Sequence, residues 1–293
     1  MRTRTPVVAG QFYPAEPDEC LEQIRECLAG TGERSRTSTL PPSVTGGIVP
    51  HAGWTFSGAV AAMVFAAVKE RRPTTRTFVL FGSAHSYFGS LPAVDDSDAW
   101  QTPLGTVEVD DALRQALVSR YVVIADAGAH RHEHSIEVQV PFIQHLFPDA
   151  KIVPIIVPPV ENALTLGEAA AGIAPEADRT VVFVGSTDLT HYGPRYGFTP
   201  MGKGVDGLQW AAEVNDREFI ELAVDLEAER LLSGAIEKGN ACGPGAAAAA
   251  LAAARRLGAR KGALLAYTNS NQVMQRKMGT TSRDSVGYAA ILF

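Results

Sequence analysis

The apolar positions fall into two kinds of run that take turns along the chain. Gly46 to Pro50, Lys151 to Val157, Thr180 to Gly185, Leu264 to Thr268 and Ser285 to Leu292 have the length and composition of strands, and Thr77 to Phe81 reads as a buried one. Between them, Ser57 to Lys69 carries Ala, Val, Met and Phe at helical spacing. Asp110 to Ser119 predicts a helix with an acidic first turn, which suits the helix dipole. Ser135 to Phe147 predicts another, with Ile136, Val140, Ile143 and Phe147 along one side and Pro141 as a bend or break. Leu208 to Leu222 and Leu226 to Lys238 fill two more. Pro244 opens an alanine run that stops at Gly258, the usual asymmetry of a helix start and a helix end.

The repeated β-then-α order argues for an α/β sandwich with a largely parallel central sheet flanked by helices. No internal repeat and no linker divides the chain, so residues 1–293 are expected to form a single domain. Glu33 to Val44, rich in Ser, Thr and Pro, predicts a surface loop. Tyr192 to Gly207, rich in Gly and Pro, is expected to lie over the strand before it.

Charge and composition narrow the function. The formal net charge is −6 and no long basic block occurs, which argues against a nucleic-acid surface. The longest apolar run, Gly245 to Ala254, is too short to span a bilayer, and the first residues lack the apolar stretch of a signal peptide. A cytoplasmic protein is expected. Cys20 and Cys27 share one face of a helix, and Cys242 is expected to be a free thiol.

Candidate chemistry collects at element ends. His51 follows Ile48-Val49-Pro50, and His85 follows the strand that ends at Phe81. Two neighbouring parallel strands would bring both ends together, beyond the carboxyl edge of the sheet where α/β proteins bind ligands. Cys242 precedes the alanine helix, whose N-terminus favours a thiolate. Two imidazoles and a thiolate form a ligand set for one transition metal. The alternatives are hydrogen-bonding histidines and a small residue at a tight cap. Asp188 and His191 are three apart and would face each other on a helical turn, a pairing suited to acid–base work; the competing reading makes Asp188 a backbone cap. In His130-Arg131-His132-Glu133-His134, His134 is favoured as a substrate contact over a residue of a solvated loop. Gly202 to Gly207 matches G-x-G-x-x-G but follows no strand, so no nucleotide role is assigned. A metal-free thiol enzyme with Cys242 as nucleophile is a further alternative.

These blocks resemble the Memo family, called AmmeMemoRadiSam system protein B in bacteria and archaea. The likeness runs from Arg4-Thr5-Pro6-Val7-Val8-Ala9-Gly10-Gln11-Phe12-Tyr13-Pro14 through Pro50-His51-Ala52-Gly53-Trp54, Gly82-Ser83-Ala84-His85, Glu133-His134-Ser135-Ile136-Glu137 and Ser186-Thr187-Asp188-Leu189-Thr190-His191-Tyr192-Gly193. It ends with Ala241-Cys242-Gly243 and Asp284-Ser285-Val286-Gly287-Tyr288. The resemblance implies a fold similar to class III extradiol dioxygenases, which are non-haem iron enzymes. It implies metal ligands at His51, His85 and Cys242, and an acid–base histidine at His191. The dioxygenases complete their triad with a carboxylate where this chain has Cys242, a softer donor that accepts Fe(II) but also copper or zinc and is itself open to oxidation.

The reading that follows is an oxidoreductase of dioxygenase type with one Fe(II), copper or zinc being alternatives. His191, held by Asp188, would move a proton, and His134 would touch the substrate. The competing reading is a non-catalytic scaffold that binds a metal or a peptide on the same fold. Expected partners are a small molecule or peptide in the metal pocket and, through the family name, radical-SAM and AMMECR-type proteins.

Overall fold

The computed structural model describes residues 1–29, 40, 41, 43–176 and 180–293. Most of the loop expected over Glu33 to Val44 lies outside the described residues. The first half of the chain contains β1 (Thr3–Arg4), α1 (Pro17–Ala29), β2 (Gly46–Val49), α2 (Trp54–Arg71), β3 (Thr77–Gly82), β4 (Ala93–Val94), β5 (Ala99–Thr102), β6 (Gly105–Glu108), α3 (Asp111–Ser119), β7 (Ile124–Ala125), α4 (Ala127–His130) and α5 (Val140–Leu146). The second half contains β8 (Lys151–Ile156), α6 (Asn162–Glu176), β9 (Val181–Ser186), β10 (His191–Tyr192), α7 (Val205–Trp210), α8 (Asp216–Val224), α9 (Ala228–Lys238), α10 (Pro244–Arg256), β11 (Ala263–Asn269), α11 (Ser270–Met278) and β12 (Ser285–Leu292).

The described strands form a nine-stranded sheet in the order β10-β12-β2-β9-β3-β8-β4-β7, with β11 on the free side of β12. Its centre, β2-β9-β3-β8, is parallel, while β12 and β4 join antiparallel, so the sheet is mixed. Alternation along each strand sorts side chains between two cores. Phe78 and Leu80 of β3 enter one, with α1, α2 and α5; Val79 and Phe81 enter the other, with α6, α8, α9 and α10. Both faces are covered by helices, which is why the central strands are apolar throughout rather than every second residue. This is the α/β sandwich that the pattern predicts. A separate three-stranded sheet, β1-β5-β6, is not legible as strands in the sequence.

Two expected helices differ in detail. Pro141 lacks an N–H and is tolerated only in a first turn. The run Ser135 to Phe147 therefore becomes a 3-10 turn over Glu137–Gln139 followed by α5, with the proline in the first turn of α5. The run Leu208 to Leu222 is helical but contains a π turn at Ala211–Asn215, between α7 and α8. No described helix is long and apolar enough to cross a membrane.

Candidate metal centre

Two parallel strands, β2 and β3, lead into the loops of His51 and His85, while Cys242 stands just before α10. The sequence sets β2 and β3 side by side, but β9 lies between them, paired Val49 to Ser186 and Phe81 to Gly185. The last residue of β9 therefore stands between the two histidine loops. His51 Nδ1 lies 3.0 Å from Ser186 Oγ. The Ser186 hydroxyl donates to the Ser135 carbonyl at 2.7 Å, so it accepts from His51. That places the proton on Nδ1 and turns the Nε2 lone pair toward Cys242 Sγ. Burial holds the His51 imidazole well below its ordinary pKa, and the charges of His85 and His134 act in the same direction. His51 is thus a neutral imidazole.

His85 is held by a carboxylate to which the sequence reading gives no role. Its Nδ1 lies 3.0 Å from each oxygen of Glu133, and its backbone N–H donates to Oε2 at 3.1 Å. Glu133 is buried and also accepts the backbone N–H groups of His134 and Ser135, both at 2.8 Å. Burial alone would raise the Glu133 carboxyl, but its bonds to His85 and Ser135 hold it well below the usual range. Burial alone would lower His85, yet hydrogen bonds with Cys242 and Glu133 raise it to about 10. A metal at this site therefore competes with a proton. His134 stacks on His85 with ring centroids 4.9 Å apart and planes at 6°, and burial lowers its pKa.

The structure thus brings together more donors than the sequence trio. His51, His85 and His134 each offer one ring nitrogen, and all three nitrogens lie within 4.8 Å of one another. Cys242 Sγ sits 3.1 Å from His51 Nε2 and accepts the Asp188 N–H at 3.3 Å. Gly243 permits this approach: a Cβ there would lie 2.1 Å from Ser83 Oγ and 2.7 Å from the Ser186 carbonyl. The nearby carboxylates are already committed, Glu133 to His85 and Asp188 to backbone N–H groups. The remaining lone pairs are imidazole nitrogen and sulfur, a donor set that fits a transition ion and not Mg²⁺ or Ca²⁺.

The expected Asp188–His191 pair does not form. Asp188 Oδ1 accepts the His51 N–H at 2.7 Å, and the carboxylate also takes the Ala52 N–H. It secures the β2 loop, much as the capping alternative has it, although across the sheet edge and not on its own helix. Residues 187–190 are not helical, so the spacing of three does not set the two side chains face to face. His191 Nδ1 instead lies 3.0 Å from the Leu189 carbonyl, and its ring meets Tyr196 edge-on at 5.0 Å. His191 still lines the same pocket of about 360 Å³ as His51, His85 and His134. Phe12, Phe56 and Tyr288 contribute apolar wall, and Arg195 stands among the lining residues. His130 is buried against the Ala93 carbonyl and His132 is exposed, so of that cluster only His134 reaches the pocket.

A family model described as Memo-like protein matches residues 4–292. The chain belongs to the Memo family. A MEMO1 family protein of Methanopyrus kandleri is 38% identical, covering 99% of this chain and 98% of its own length. One from Methanosarcina barkeri is 36% identical over 99% of both, and one from Thermococcus onnurineus is 38% identical over 99% of both. A crystal structure of an uncharacterized Escherichia coli K12 protein aligns with a TM-score of 0.49 at 15% identity, covering 84% of this chain and 99% of that one. In this Memo protein the residues that sequence reasoning left without a role are Glu133 and Ser186. Each stands beside a noted histidine or strand end, but the contact it makes is long-range. Only the fold reveals it.

Proposed function

We propose that this protein is a mononuclear non-haem metal protein of oxidoreductase type, with Fe(II) as the resident ion. The observation that carries the reading is the group of three imidazoles within 4.8 Å, with Cys242 Sγ 3.1 Å from His51 Nε2, on the wall of a pocket of about 360 Å³. His51, His85 and Cys242 would hold the ion, with His134 as a further imidazole donor or a substrate contact. Copper or zinc satisfies the same donors. When bound, the ion supplies Lewis acidity and, for iron or copper, a one-electron couple.

The remaining work falls to the chain. The Leu189 carbonyl accepts from His191 Nδ1, so the lone pair of His191 is on Nε2. Burial lowers the His191 pKa, which keeps the ring neutral near pH 7 and able to take a proton from a bound substrate. Asp188 keeps the His51 loop in register, and Phe12, Phe56 and Tyr288 give the pocket an apolar wall beside the histidines.

The test is the metal content of full-length protein purified without oxygen, beside Cys242→Ser and a His51→Ala, Cys242→Ala double variant, followed by oxygen uptake. Near-stoichiometric iron that falls in both variants is expected. No bound metal after reconstitution with Fe(II), or equal metal in the double variant, would overturn the reading. Bound metal with no oxygen uptake would keep the metal centre and remove the oxidoreductase assignment.

A further inference from the structure

The helical run from Val205 to Val224 contains a π turn that no proline or glycine explains, for residues 211–215 are Ala-Ala-Glu-Val-Asn. A π turn inserts a residue into the helix at a cost, and it is often found at functional sites. What it changes here is the direction of Asn215 and Asp216, both buried. Asn215 Nδ2 donates to Thr190 Oγ1 at 3.1 Å and to the Lys238 carbonyl at 3.3 Å. The Asn215 carbonyl accepts from Asn240 Nδ2 at 3.1 Å. Asp216 accepts the Thr190 N–H at 2.8 Å and the Tyr267 hydroxyl at 2.7 Å. Thr190 directly precedes His191, and Asn240 lies two residues before Cys242. Two adjacent side chains and one carbonyl therefore grip both loops that reach the pocket. The loops also touch each other, through a bridge between Leu189 and Ala241.

We propose that the π turn at Ala211–Asn215 is a clamp that sets the positions of His191 and Cys242, with Asn215 and Asp216 as its positioning residues. The inference rests on the reading of those two as site residues. An unbroken α-helix would rotate every residue after the insertion by one position. That turn of about 100° would carry Asn215 and Asp216 together away from Thr190 and Asn240, so the grip on both loops depends on the extra residue.

The experiment compares full-length wild type, Asn215→Ala and Asn240→Ala after chelator treatment. Its two readouts report position: the rate at which iodoacetamide alkylates Cys242 near neutral pH, and the imidazole resonances of His191 in ¹⁵N-histidine protein. Cys20 and Cys27 do not interfere, because both are buried and burial pushes their thiols up to about 11 and about 12. In Asn215→Ala the alkylation rate should change about tenfold, equivalent to about 1.4 kcal/mol and within the cost of leaving a buried hydrogen-bond partner unpaired. The His191 resonances should move while those of His130, bonded to the Ala93 carbonyl, stay in place. An unchanged rate with unmoved His191 resonances in folded Asn215→Ala would overturn the proposal. Should that variant fail to fold, Asn240→Ala decides by the same readouts, since it removes a single donor. Wild type that holds no metal would end the metal-centre reading but leave both readouts valid, so the two failures are distinguishable.

Discussion

At the scale of single residues, two buried carboxyls behave in opposite ways. Glu133 is held ionised by His85 and by backbone donors, and it fixes the ring that faces the pocket. Glu133→Gln keeps the shape but replaces one acceptor by a donor, where every neighbour is also a donor. His85 should lose its orientation, and affinity for Fe(II) or Zn²⁺ should fall about 10–100-fold. Competition with a chromophoric chelator measures this, and affinity equal to wild type would remove Glu133 from the site. Asp216 runs the other way. Burial pushes its carboxyl up to about 7 from an ordinary 3.8, against hydrogen bonds from Thr190 and Tyr267. Between those values the folded chain holds a proton that the unfolded chain has lost. Stability should therefore fall as pH rises through this window, by up to about 1.4 kcal/mol per pH unit, and level off above it. Asp188, also raised to about 7, adds a contribution of the same sign. Asp216→Asn should remove one of the two, so its urea midpoints should vary less between about pH 4 and about pH 7 than those of wild type. An unchanged slope would show that Asp216 is already ionised in the fold.

At the scale of elements, the alanine-rich α10 shows what sequence pattern conveys and what it omits. Its span was legible, since Pro244 opens it and the described helix ends at Arg256, just before Gly258. Its reason for being alanine-rich was not, because that depends on its neighbours. A Cβ on Gly167 of α6 would lie 2.1 Å from the Ala249 carbonyl, so the two helices meet at backbone distance. Gly167→Ala should push them apart. Overpacking of this kind costs about 1–3 kcal/mol, against about 1 kcal/mol gained in helix propensity. The urea midpoint should drop at constant slope, with metal content unchanged; a higher midpoint would mean that the helices yield without strain. The same division holds for the site. His51 and His85 were legible because strand ends in an α/β order predict where loops emerge. The insertion of β9 between their strands was not, since strand order is set by long-range pairing. The pairing of Asp188 with His191 failed because spacing of three implies contact only on a helix, and residues 187–190 are not helical. The π turn has no local signature at all.

At the scale of the whole molecule, the N-terminal segment fastens the histidine loop from outside the main sheet. β1 pairs with β5 in the small sheet, and the Arg4 guanidinium lies 4.1 Å from the Trp100 ring centroid. Arg4 donates to the His130 and Glu133 carbonyls and to Glu137 Oε2, the last at 2.8 Å. Glu137 in turn accepts the Val7 and Val8 N–H groups and the Tyr13 hydroxyl. Both members of the ion pair are buried. Removing one therefore strands the other's charge, a change that costs about 3–5 kcal/mol. Arg4→Met should show this loss, and Arg4→Met combined with Glu137→Gln should cost less than the sum of the two single changes. The pair also frames the turn that carries Glu133 and His134, so its loss should reach the pocket. Metal added to a protein that binds it only when folded raises stability in proportion to affinity. The rise in urea midpoint on adding Zn²⁺ should accordingly be smaller in Arg4→Met than in wild type. If the variant is destabilised but keeps the full metal-induced rise, Arg4 serves the frame alone, and the position of the histidine loop is set within the main sheet.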